Sequence, residues 1–326
     1  MTSAQNAMMT RIRVSMERRQ RRDSTPNRST CVAPPPIPTR CIRAKATDEQ
    51  ALMLRSTSFL CLAMALAPAI AQERLLQPND LPARTKVADQ LQAALREGAT
   101  DRDVQATITS VLPALPDGSA AKTRLANAMQ TTAQERPAIV GDLIADLQFK
   151  PLQQAELPAG FPGFQAVDEL ELRDYPAYRM VRTAMKGGSY AAFWPLFRHI
   201  EKNAIAMTTP VQMDWQPNGT TGKPTAMAFL YGSPTLGRTG TDDRVEVVDV
   251  PALTVISVGA VGDDRKDRVA ALHERLREWL RRNPEWEIAG DLRTMGYNSP
   301  MVARDQRYFE VQLPIRKTVR RQPIPV

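Results

Sequence analysis

The sequence predicts an α+β protein: two ββαββ units forming an antiparallel sheet or barrel with a helix packed on each, preceded by a small helical bundle. Three observations carry this. Composition shifts near residue 150, from a stretch rich in Ala, Leu and Gln to one rich in β-formers. The tetrapeptide Asp174-Tyr175-Pro176-Ala177 returns as Asp249-Val250-Pro251-Ala252, each time ahead of a run that reads as a strand. The order strand–strand–helix–strand–strand is then the same in both halves, which is the stronger sign of an internal duplication.

The chain has 326 residues and a formal charge of +8, unevenly placed. Residues 1–71 hold 11 Lys and Arg against 4 Asp and Glu; residues 72–326 hold 32 against 31. The near-neutral second part lacks the basic footprint that nucleic acid requires. Residues 1–52 are rich in Arg, Pro, Ser and Thr with no apolar period, and are expected to be a disordered extension ahead of the true start. From Met53 the chain reads as a signal peptide: Arg55, an apolar run over 59–67, and Ala69-Ile70-Ala71 as the cleavage site. Translation is therefore expected to begin at Met53. The mature chain, periplasmic or secreted, would begin near Gln72 with no transmembrane segment once the signal is removed. The rival for residues 1–52 is an Arg-rich transit or nucleic-acid-binding arm. Cys31, Cys41 and Cys61 all precede residue 72, so the mature chain has neither disulfides nor thiolate metal chemistry.

Residues 72–150 are expected to form the bundle. Val87, Leu91 and Leu95 recur at helical spacing, as do Val104, Ile108 and Leu112 after Asp101, an expected N-cap. Leu125 and Met129 mark a third helix, and Ile139, Leu143, Ile144 and Leu147 a fourth. No titratable cluster stands out there, so residues 80–148 are a packing module or a protein-partner site. Residues 151–164, "PLQQAELPAGFPGF", read as a Pro/Gly linker that proteases should cut first.

Within 165–316 the first half gives two strands, the helix "SYAAFWPLFRHIEKN", then "AMTTPVQMDW" and "PTAMAFLYG". The second gives "RVEVVDVPALTVISVGAVG", the helix "RVAALHERLREWLRRN", then "WEIAGDLRTMGYNSP" and "RYFEVQLP". Residues 317–326 read as a flexible basic tail. Phe193, Leu196, Phe197 and Ile200 form the apolar stripe of the first helix; Val269, Leu272, Leu276 and Leu280 form that of the second. Pro195 is expected in the first turn of its helix. His199 lies roughly 110° from the centre of its stripe and Trp194 a similar angle on the other side, while His273 lies at the edge of the second stripe.

"AFWPLFRHI" followed by "IAMTTPVQM" resembles the SOUL haem-binding protein family. "ELRDYPAYRMVRTAM" is similar to its opening strand pair, and "YNSPMVARDQRYFEVQLPI" to its closing segment. The resemblance covers about residues 160–316. It implies a pseudo-symmetric β-barrel with two outer helices, and reversible binding of haem or another porphyrin without catalysis as the common theme. The cofactor-binding residues this points to are His199, Trp194, Phe197, Arg198, Lys202 and Tyr190. Among them His199 is the candidate metal ligand, since a neutral imidazole commonly holds haem iron; Arg198 and Lys202 supply cations for the propionates. His273 and Met207 are lesser candidates, each with a packing role as the simpler account. Two other readings stay open: a non-haem small-molecule (effector) binder of the same fold, and an envelope protein acting through a partner. No Ser-His-Asp order, phosphate-cradling Gly loop or metal-ligand spacing marks an enzyme.

Overall fold

The computed structural model describes residues 73–216 and 222–318. The extension, the signal peptide, all three cysteines and residues 319–326 lie outside the described residues. Four helices come first: α1 (Leu81–Ala94), α2 (Asp101–Val111), α3 (Ala120–Met129) and α4 (Arg136–Gln148). Their core is Val87, Leu91, Val104, Ile108, Leu125, Leu143 and Ile144, all buried, as the helical spacing predicts. The cap of α2 is Thr100 rather than Asp101: its hydroxyl accepts from the Asp103 amide while the Asp103 carboxylate accepts from the Thr100 amide at 2.9 Å. A reciprocal pair satisfies two end-of-helix donors at once, which Asp101 alone would not.

The strands are β1 (Leu170–Tyr175), β2 (Tyr178–Ala184), β3 (Val211–Trp215), β4 (Pro224–Leu230), β5 (Gly240–Asp242), β6 (Val245–Val250), β7 (Leu253–Val261), β8 (Trp286–Ile288), β9 (Arg293–Gly296) and β10 (Tyr308–Lys317). Helices α5 (Gly188–Lys202) and α6 (Lys266–Arg282) fall after β2 and β7. All the pairings are antiparallel, in the order β1-β7-β10-β9-β3-β4-β2-β6-β5, with β8 added to β10.

This sheet is not closed, so the expected barrel does not form among the described residues. At one end of the order β1 has a further partner, and at the other the ladder runs out in the three-residue β5. The outer edge of β1 meets residues ahead of the bundle, where the Leu76 amide donates to the Leu170 carbonyl at 2.8 Å. The outer edge of β6 is taken by β5. An occupied edge has no free donors with which to close a ring.

Each helix covers part of one face. Under α6 lie Ile256, Val258, Phe309, Val311 and Leu313; under α5 lie Val181, Met227, Phe229 and Val247. The opposite face mixes apolar patches, such as Tyr178, Met180, Ala228 and Leu230, with buried polar side chains. On β10, Phe309, Val311 and Leu313 point to the helix while Glu310 and Gln312 point away, yet both polar side chains are fully buried. Residues 151–166 run along this face. Phe161 packs edge-on to Tyr175 and Tyr178, and Phe164 lies against Tyr297 and Tyr308. The Thr209 amide donates to the Glu156 carbonyl at 3.0 Å and the Ala159 amide to the Gly232 carbonyl at 3.0 Å.

The bundle is tied to the sheet by charge. Glu169, 1% exposed, pairs with the buried Arg84 and accepts from the Ala120 and Ala121 amides at the start of α3. Arg124 of α3 reaches Asp168 at 3.1 Å, and Arg275 of α6 pairs with both Glu73 and Asp168. The α3 N-terminus and the Arg84 guanidinium oppose the desolvation of Glu169 without outweighing it, so its carboxyl stays above the usual range.

Candidate functional site

Helix α5 begins at Gly188, whose φ of +80° suits a residue without a Cβ. The start is earlier than the sequence suggests, because the two glycines 187 and 188 form the entry turn. Pro195 sits inside the helix and not in its first turn, which the sequence-predicted start at Ser189 already precludes, and the Ala191 carbonyl loses its usual donor. The inner face of α5 is Ala192, Phe193, Leu196 and Ile200.

Beside that face runs an aromatic cluster. Tyr190 lies edge-on to Trp194 at 5.9 Å, Trp194 edge-on to Phe197 at 5.8 Å, and Phe197 parallel to Phe193 at 5.8 Å. Trp194 and Phe197 are half-buried, with Met185, Met207 and Met213 packed near them on the same core. The indole Nε1 of Trp194 is buried and has no hydrogen-bond partner among the described residues. Arg198 is exposed on the outer side of the helix, and its Nε donates to the Trp194 carbonyl at 3.4 Å.

His199 is not on the solvent side. It is 9% exposed and held at both ring nitrogens, Nδ1 3.2 Å from the Asp242 carboxylate and Nε2 3.0 Å from the Tyr231 hydroxyl. Lys202 reaches the same carboxylate at 3.2 Å. Lys202 and then His199 hold the Asp242 carboxyl below its usual range, while burial pushes the Tyr231 hydroxyl up to about 12. Asp242 belongs to β5, so this cluster fastens the edge hairpin to α5. An imidazole with both nitrogens engaged presents no lone pair to iron. His273 on α6 is buried at 4% exposure, on the far helix from this cluster. No group of three or more His, Cys, Asp or Glu side chains placed to hold a metal ion occurs among the described residues. No helix among them is long and apolar enough to cross a membrane.

Of the six residues named from sequence, the structure brings Tyr190, Trp194 and Phe197 together as one aromatic surface. Arg198 is exposed beside Trp194, while Lys202 and His199 both belong to the hairpin clamp on Asp242. Sequence reading missed Asp242 and Tyr231, which are far along the chain and carry no motif. It also missed the buried polar groups on the face of the sheet away from the helices. There Arg173 donates to Glu310 at 3.0 Å, Gln312 to the Tyr175 hydroxyl at 2.7 Å, and Arg293 to Gln312 at 3.0 Å and to the Tyr178 hydroxyl at 2.9 Å.

No curated protein sequence matches the chain. Among solved structures it is similar to EcmrR in a DNA complex, at 12% identity and a TM-score of 0.38, covering 46% of this chain but only 58% of that one. It is also similar to a hydrolase from Listeria innocua, at 11% identity and a TM-score of 0.36, covering 47% of this chain and 94% of that one. An integron cassette protein from Vibrio cholerae follows, at 13% identity and 0.26, covering 45% and 95%. At these identities and scores the similarity says nothing of ligand or reaction. The family comparison is of another kind: residues 161–314, which hold both sheet-covering helices and the strands from β1 into β10, match the model of the SOUL heme-binding protein family.

Proposed function

We propose that this protein binds haem or another tetrapyrrole reversibly, on the aromatic surface formed by Tyr190, Trp194 and Phe197 of α5. The observation that carries the reading is the family match over 161–314, joined to a half-buried aromatic face with an unpartnered indole N–H. A flat apolar macrocycle fits that face. Arg198 and Lys202 would take its propionates, and bound haem would supply an iron centre and its visible absorbance. The residues fit the porphyrin better than the metal, because His199 is occupied on both sides. Burial of apolar area alone, at roughly 25 cal/mol per Å² before the costs of association, is sufficient for micromolar affinity, roughly −8 kcal/mol.

Titration of the purified protein with hemin and with metal-free protoporphyrin tests this. Trp194→Ala is expected to weaken both ligands about tenfold or more, and His199→Ala to leave both nearly unchanged. A Soret shift lost on His199→Ala, with protoporphyrin binding intact, would restore the iron-ligand role. No change of absorbance or tryptophan fluorescence with either ligand would reject the reading in favour of a non-haem small molecule.

The reading includes export, motivated by the signal-like residues 53–71, and a protein partner for residues 80–148. N-terminal sequencing of native protein should give a start near Gln72. We also read 165–316 as one ββαββ unit written twice. In support, the central strand order is the same from either end once β1 is matched to β6, β2 to β7, β3 to β9 and β4 to β10.

A further inference from the structure

The face of the sheet away from the helices holds a buried guanidinium with an unused N–H and no ion pair at contact distance. Arg293 is 4% exposed. Its Nε and Nη1 are spent on the neutral Gln312 and Tyr178 side chains, and its Nη2 is buried with no partner among the described residues. No carboxylate lies within ion-pair distance of it among those residues. Glu310 pairs with Arg173; Asp214, the cross-strand partner of Arg293, feels its charge but directs its carboxylate to Gln212, from which it accepts at 2.6 Å. A buried guanidinium with neutral partners and a spare N–H is costly, and an oxyanion relieves both deficits at once.

The same place holds a ring that does not belong to the sheet. Phe161, from the irregular segment 151–166, sits edge-on to Tyr175 at 4.9 Å and to Tyr178 at 5.2 Å. Arg293 touches both tyrosines as well, lying over the Tyr175 ring at 5.3 Å and donating to the Tyr178 hydroxyl. Gly160 (φ +75°) precedes Phe161 and Pro162 follows it. The ring is thus delivered by a short turn, not by a strand or helix.

We propose that this face is a binding site for a small aromatic acid, whose ring takes the place of Phe161 between Tyr175 and Tyr178 and whose carboxylate takes the free Nη2–H of Arg293. Phe161 is the occupant that the chain supplies when no ligand is present. Ring-sized apolar cavities in proteins stay dry and accept benzene-like molecules. The tyrosine pair supplies the edge contacts for the ring, and the guanidinium selects a carboxylate over a neutral substituent. This site is on the opposite side of the sheet from α5 and does not depend on tetrapyrrole binding.

The probe is 4-fluorobenzoate, followed by fluorine NMR line broadening with the full chain, against 4-fluorobenzyl alcohol as its neutral counterpart. Wild type is expected to bind the acid and not the alcohol. Phe161→Ala should bind the acid at least tenfold more tightly, and Arg293→Gln should abolish the preference for the acid. Trp194→Ala should change nothing. Phe161→Leu, which keeps an apolar side chain at that point, serves where the alanine variant fails to fold, and should tighten binding in the same direction. Equal binding of acid and alcohol would overturn the proposal, as would binding by the Phe161 variants but not by wild type. So would no binding by any of them; Arg293 Nη2 would then be satisfied by an ordered water alone.

Discussion

The two helices that cover the sheet occupy equivalent places and do different work. On α6, Val269, Leu276 and Trp279 are buried against β7 and β10, the expected stripe residues Leu272 and Leu280 are half-buried beside them, and the flank is held by Arg275 to Glu73 and Asp168. On α5 the stripe is widened by aromatic residues that the rest of the protein covers only in part, Trp194 and Phe197 among them. The segment leading into the bundle lies beside the second half and leaves this aromatic surface open. The same order of elements thus yields one helix used for assembly and one left with a surface to bind with.

A pair of tryptophans puts this to its hardest test. Trp279→Ala removes a side chain that is 5% exposed and is expected to cost about 3–5 kcal/mol of unfolding free energy. Trp194→Ala, on the half-buried surface, should cost about 1 kcal/mol or less while weakening porphyrin binding. Denaturant unfolding of both variants decides. Equal losses would mean that the α5 aromatic cluster is core and not a binding face.

The bundle contact comes next in size. Glu169→Ala leaves Arg84 charged, 4% exposed and unpaired, with two amides of α3 unsatisfied, for an expected loss of about 3 kcal/mol or more. Removing both partners in Arg84→Met with Glu169→Ala should cost less than the two single changes added. Strict additivity in thermal unfolding would show that the pair does not couple the bundle to the sheet.

All six helices were legible because each repeats apolar residues at a spacing that survives without tertiary context. The order of the principal strands was legible for the same reason. The short β5, "GTD", has no alternation to read, and the open sheet depends on an edge contact by Leu76 that no local pattern encodes. A helical wheel sets His199 off the apolar stripe of α5 and knows nothing of the hairpin that arrives with Asp242 to bury it. The alternation Tyr308-Phe309-Glu310-Val311-Gln312 signals a strand with one polar face. It does not reveal that the polar face is buried beneath residues 151–166, since burial there is a property of the strap. That strap also revises the expectation for proteolysis: a segment read as a free linker is hydrogen-bonded and stacked along its length.

The clamp at the edge of α5 is expected to have a moderate effect. His199→Ala removes the partner of the buried Tyr231 hydroxyl and frees Asp242, a loss of about 1–3 kcal/mol. Hydrogen exchange at 240–242 should rise with it, since a three-residue edge strand has little else to hold it. Protection unchanged in that segment would show that β5 is fixed by its pairing with β6 alone.

The smallest expected effect separates the two helices by their histidines. His273 on α6 is buried, and burial first, then the neighbouring Arg277, pushes its pKa below the ordinary value of 6.5. The sign follows from which state takes up the proton first. The unfolded chain protonates this group near its ordinary value, while the folded chain resists until a lower pH. The contribution of His273 is therefore complete above about pH 6.5 and declines as pH falls through the interval down to the folded value. His273→Leu should remove that part of the acid sensitivity, narrowing the gap between unfolding free energies measured at about pH 7.5 and about pH 5.5. The side chain packs beside Val269 and Leu276, so an apolar substitute of similar size keeps the stripe filled and isolates the charge. An unchanged gap in the leucine variant would place the acid sensitivity in groups other than His273.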